Sequence, residues 1–129
     1  MRGLNRCVLV VEDHAIISEI WCLHMEIMGL EVCGTATTAD NAIELAEQYR
    51  PAIVLMDVRL IGDRDGVDAA MAIHDTVGSK VIFITGSKEP SNMARIEQDH
   101  PAAVLIKPVP DHLLRSTVEK VARECGAWH

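Results

Sequence analysis

The chain has 129 residues, the size of one ordinary domain, and a hydrophobic share of 49%, enough for a real core. Aromatic residues make up only 3%, so that core must be built from Val, Ile, Leu, Ala and Met. A formal net charge of -7 argues against binding to nucleic acid or an anionic membrane surface, whose phosphates attract Lys and Arg.

Cys7–Val11 is an unbroken apolar run of strand length that ends in two acids, Glu12 and Asp13. Ala15 to Met28 follows with Ile16, Ile20, Leu23 and Ile27 at helical spacing, and Gly29 stands where a helix stops. Trp21 is expected on the flank of this helix. Val32–Ala36 is a weaker strand, interrupted by glycine and expected near a sheet edge. Thr38 is a candidate N-cap, and Ala39, Ala42, Ile43 and Ala46 form the inner face of a second helix that Pro51 terminates. Ala52–Met56 is the third strand, apolar throughout, and it delivers Asp57 at its end. The polar loop from Gly62 to Gly66 is not a calcium loop. With Gly66 as position six, Ile61 and Ala72 fall where acids are required. Val67, Ala70, Met71, Ile73 and His74 predict a third helix ending near Gly78. Val81–Ile84 is a fourth strand, ending at Thr85-Gly86-Ser87. The next helix begins at Pro90 and has only Met93, Ala94 and Ile96 as apolar anchors, so it is expected to be mobile. Ala102–Ile106 is the fifth strand, ending at Lys107-Pro108. The last helix starts near Pro110-Asp111 and carries Leu114, Val118, Val121 and Cys125 as a stripe.

Five strands alternating with five helices define a doubly wound α/β domain with a parallel sheet, one domain over residues 1–129. Cys7, Cys22, Cys33 and Cys125 form no C-x-x-C pair and read as free thiols of a reducing cytosol. His14, His24, His74, His100, His112 and His129 show no ligand spacing and read as surface or helix-boundary residues. The first apolar run is too short for a signal peptide, and no stretch approaches a membrane span, so a soluble, cytoplasmic protein is expected.

Four strand ends carry matching chemistry: Glu12-Asp13, Asp57, Thr85 and Lys107. In such sheets the ligand crevice lies outside the carboxyl ends of the strands. Three carboxylates in one place repel unless a cation sits among them. Oxygen ligands with solvent suit Mg²⁺, while a lysine and a hydroxyl opposite would hold an anion. No phosphate-binding glycine loop is present, so a nucleotide is not expected. The simplest anion is one phosphoryl group, with Asp57 as its nucleophile.

These residues resemble those of the response-regulator receiver domains of two-component signalling. The resemblance rests on Glu12-Asp13, Asp57, Thr85-Gly86 and Lys107-Pro108, and it covers essentially the whole chain. It implies a flavodoxin-like strand order of 2-1-3-4-5. It implies Asp57 as phosphoacceptor, with Mg²⁺ held by Asp13, by Glu12 largely through water, by Asp57 and by the Arg59 backbone carbonyl. Thr85 and Lys107 would then bind the phosphoryl group. The implied donor is a sensor histidine kinase or a histidine phosphotransfer protein. The implied output, with nothing left for an effector domain, is contact with a downstream protein or onward transfer. A non-phosphorylated interaction module and a receiver cut from a longer regulator are the alternatives. A phosphatase of the haloacid-dehalogenase type would need an acid where Arg59 stands. The sequence departs from the common receiver pattern in three places. Val104 replaces a switch aromatic, Ile61 replaces a proline, and Gly66 lies one residue further from the phosphoacceptor than is common. Phe83-Ile84-Thr85-Gly86 resembles a receiver subgroup that lacks the aromatic.

Overall fold

The computed structural model describes residues 3–86 and 89–126. Ser87 and the terminal residues 127–129, with His129 among them, lie outside the described residues. The elements in order are β1 (Asn5–Val11), α1 (Ala15–Ile27), β2 (Glu31–Ala36), α2 (Ala39–Tyr49), β3 (Pro51–Met56) and α3 (Gly66–Thr76). They continue with β4 (Lys80–Thr85), α4 (Pro90–Gln98), β5 (Ala103–Ile106) and α5 (Asp111–Glu124). All ten fall where the sequence places them.

The strands form one parallel sheet in the order β2-β1-β3-β4-β5, so β2 is an edge and β3 is the centre. Side chains alternate across it. Leu9, Val11, Val54, Met56, Val81 and Phe83 face α2, α3 and Ile96 of α4. Val8, Val10, Ile53, Leu55, Ile82 and Ile84 face Trp21 and Met25 of α1 and Leu114 and Val118 of α5. Every residue of β3 is buried, as an unbroken apolar run requires of a strand covered on both sides.

Local signals set the helix ends. Thr38 accepts a hydrogen bond from the Asn41 amide and caps α2. Asp65 and Asp68 form a reciprocal capping box on α3. Gly29 closes α1 with φ +83, a conformation that favours glycine. Cys7 and Cys33 touch across β1 and β2. Burial raises both thiols, so neither is a ready thiolate.

Three expectations need correction. The stripe that makes α1 legible, Ile16, Ile20, Leu23 and Ile27, faces outward. The helix instead buries Ser18, Trp21, His24 and Met25. The rotation of the helix on the sheet thus turns the second stripe inward. Trp21 is therefore a core residue, not a flanking one. His24 is buried too, with Nε2 3.3 Å from Asp111 Oδ1 and Nδ1 3.3 Å from Arg115 Nη1 on α5. Helix α4 has the few anchors expected of it. Ile96 is its one buried residue, as its sparse apolar face predicts, and charge also holds the C-terminal half of the helix. Arg95 reaches Asp65 Oδ2 at 2.7 Å and Asp68 Oδ1 at 3.2 Å, and His74 Nδ1 meets Asp99 Oδ1 at 2.9 Å.

Candidate functional site

Strand register brings the expected residues together. Val11 pairs with Met56, so Glu12 and Asp57 leave the sheet side by side, and the Asp57 amide donates to the Val11 carbonyl at 3.0 Å. Thr85 pairs with Ile106, so Lys107 leaves the sheet beside it, and the Lys107 amide donates to the Thr85 carbonyl at 2.8 Å. The Lys107–Pro108 peptide is cis.

The lysine joins the two acids. Lys107 Nζ is 2.8 Å from Glu12 Oε1 and 3.3 Å from Asp57 Oδ2. Beneath it lies the Trp21 ring, its centroid 5.6 Å from Nζ, a cation–π distance. Glu12, Asp57 and Thr85 are buried, at 1%, 4% and 1% exposure. Burial on its own would raise both carboxyls. For Glu12, hydrogen bonds with Asp57, Lys107 and Asp13 outweigh it and pull the group down to about 2. For Asp57, burial is reinforced by the hydrogen bond and charge of Glu12, which Lys107 only partly offsets, and the group rises to about 6. Lys107 is raised: burial opposes its charge, but the two acids more than compensate. The strand edge thus holds one carboxyl pulled down and its neighbour pushed up, with one ammonium between them.

Asp13 lies beside this pair. Its Oδ1 is buried and accepts no hydrogen bond among the described residues. Glu12, Asp13 and His14 each offer an atom within 4.8 Å of the others, a spacing that fits a divalent cation. Sequence reasoning reached Glu12 and Asp13, and His14 is exposed at the N-cap of α1, as expected of a surface or helix-boundary residue.

Gly66 is tied to the site by space. A Cβ there would overlap the backbone oxygen of Asp57, and its amide donates to the Val58 carbonyl at 2.8 Å. The first turn of α3 therefore packs directly on the Asp57 backbone, which only glycine permits. Arg59 and Gly86 are exposed, and Ile61 is 58% exposed. Val104 is half-buried against the α2/α3 side of the core.

A family model described as "Response regulator receiver domain" matches residues 8–119. The chain belongs to the response regulator receiver family. It is 33% identical over 106 residues to the transcriptional regulatory protein PdtaR of Mycobacterium tuberculosis, covering 82% of this chain and 51% of that protein. It is 32% identical over 102 residues to the phyllosphere-induced regulator PhyR of Methylorubrum extorquens, covering 78% and 38%. The chain thus spans about half the length, or less, of these relatives. Among solved structures, a CheY-like receiver domain from Methanospirillum hungatei superimposes with a TM-score of 0.85 at 25% identity, covering 96% and 98% of the two chains. The receiver domain of a modulated diguanylate cyclase from Desulfovibrio desulfuricans gives 0.85 at 29% identity, covering 92% and 94%. Among the described residues, no helix is long and apolar enough to cross a membrane.

Proposed function

We propose that this receiver is phosphorylated on Asp57 by a phosphohistidine of a sensor histidine kinase or a histidine phosphotransfer protein. It then signals in the cytoplasm through protein contact or onward transfer. The observation that carries the reading is the Lys107 ammonium held between Glu12 and Asp57 at the carboxyl edge of the sheet. A carboxylate oxygen of Asp57 attacks phosphorus, the P–N bond breaks, and the imidazole leaves with its electron pair. Asp13, Glu12, Asp57 and the Arg59 carbonyl would hold Mg²⁺, which supplies charge neutralisation for the phosphoryl oxygens. The chain's own contribution is positional. Glu12 keeps Lys107 at the edge, and Lys107 bridges to the transferred group.

Two surfaces suit the exchange. A groove of about 490 Å³ between α1 and α5, lined by Ile20, Trp21, Pro108 and Leu114, opens beside Lys107. The exposed stripe of α1 begins three residues after Asp13, next to that groove. An incoming phosphodonor must approach Asp57 from this edge, and contiguous exposed apolar surface favours contact there. The output in this proposal is α4, reached through Thr85, because Val104 offers no aromatic relay.

Incubation with Mg²⁺ and acetyl phosphate, followed by intact mass measurement, tests the assignment. The wild type gains one phosphoryl group and Asp57→Asn gains none. Equal labelling of the two would overturn it.

A further inference from the structure

We propose that the turn between β3 and α3 carries the state of Asp57 to α4, with Gly66 as the contact at the phosphoacceptor and Arg95 as the contact on α4. The inference rests on the reading above that Asp57 is phosphorylated and α4 is the output, and it adds a route that does not pass through Thr85.

The first link is steric. Gly66 opens α3 and is buried. A Cβ on it would overlap the Asp57 carbonyl oxygen and lie 3.0 Å from Met56 Cγ. The Gly66 amide donates to the Val58 carbonyl at 2.8 Å, which closes the turn behind that contact. Backbone thus meets backbone, with no flexible side chain between them to yield. Asp57 itself is buried, so the bulk and charge of a phosphoryl group are met by movement around it. Close-packed contacts of this kind pass a shift on rather than absorb it.

The second link is the helix cap. Asp65 Oδ1 accepts from the Asp68 amide and Asp68 Oδ2 accepts from the Asp65 amide, each at 3.0 Å. Both carboxylates are therefore tied to the backbone of the turn that rests on Asp57. The third link is Arg95, which clasps that cap. Its Nη1 donates to Asp65 Oδ2 at 2.7 Å, and its Nη2 donates to Asp65 Oδ1 and to Asp68 Oδ1, each at 3.2 Å. All four oxygens of the capping box are engaged, so the planar guanidinium follows their orientation as well as their charge. On α4, Arg95 adjoins Ile96, the one buried residue of that helix. A displaced first turn of α3 therefore pulls on α4 beside its main anchor.

Hydrogen exchange over residues 90–98, with and without beryllofluoride, tests this on the full chain. Bound ¹⁹F resonances report that the mimic is seated. In the wild type the mimic changes exchange in that stretch about fivefold. In Arg95→Ala the mimic still binds, and its effect falls below about twofold. Asp65→Asn keeps the cap, because Asn caps a helix as well as Asp does, but it lacks the charge and shows the same loss. A full response in either variant overturns the relay and leaves α4 as an output reached through Thr85. Loss of the bound ¹⁹F signal in Arg95→Ala also overturns it, because the clasp would then shape the pocket itself. A seated mimic without any change in the wild type overturns both the relay and α4 as output. No seated mimic in the wild type removes the phosphoacceptor reading, and the relay with it.

Discussion

Helices α1 and α5 cover the same face of the sheet, and both announce themselves by an apolar stripe at helical spacing. In α5 the stripe is the buried one: Leu114, Val118 and Val121 are at most 3% exposed. In α1 the stripe is on the outside, with Ile16 at 73% and Ile27 at 64% exposure, and the helix rests on Trp21 and Met25 instead. Periodicity identifies a helix. It does not say which of two apolar stripes the tertiary structure will use. The outward stripe of α1 is then exposed apolar surface, placed near the carboxyl edge of the sheet. Helix α4 is a third case, with a single buried anchor in Ile96, a half-buried Met93 and an added attachment made by charge.

The comparison breaks first in the core. Trp21→Ala is expected to cost about 3–5 kcal/mol and Leu114→Ala about 2–4 kcal/mol, read as a shift in the urea midpoint. If Trp21→Ala were nearly neutral, the rotation of α1 described above would be wrong.

The charged attachment of α4 should matter less. Arg95→Ala is expected to cost about 0.5–1 kcal/mol, because the partners are partly exposed and water screens them. It should also speed hydrogen exchange over residues 92–98. Its pH dependence has a definite sign. Burial pushes Asp65 up, but hydrogen bonds from Arg95 and the Asp68 amide outweigh it and hold the group below its usual value. A depressed carboxyl stabilises the fold above the unfolded value of about 3.9, and that contribution is lost as pH falls through the folded value. The gap between the wild type and Arg95→Ala should therefore close below about pH 4. A gap that widened in acid would contradict the clasp. Beryllofluoride, as a phosphoryl mimic, should change exchange in the same α4 stretch. An unchanged pattern would remove α4 as the output surface.

The smallest effect on stability is expected at the exposed stripe. Ile20→Asp combined with Leu23→Asp should leave the urea midpoint within about 0.5 kcal/mol of the wild type. Labelling by acetyl phosphate should be unaffected, while transfer from a phosphohistidine protein slows at least tenfold. Equal rates from both donors would show that this face does not meet the phosphodonor.

Much of the site was legible because its members share one rule. Glu12, Asp57, Thr85 and Lys107 each end an apolar run, and parallel strands deliver their ends to one edge. Gly66 was legible as a glycine but not as a contact, since its need for a bare Cα arises only when α3 packs on the Asp57 carbonyl. Trp21 was legible as helical and misread in direction.

By itself the sequence determined the succession of strands and helices, the caps at Thr38 and Gly29, and the chemistry at each strand end. These depend on neighbours within a few residues, where backbone preference and side-chain period act directly. Only the tertiary structure decided the phase of α1, the clasp of Arg95 on Asp65 and the seat of Lys107 between Glu12 and Asp57 over Trp21. Each joins residues whose approach depends on how a rigid helix lands on a twisted sheet, a three-dimensional constraint that local periodicity does not carry.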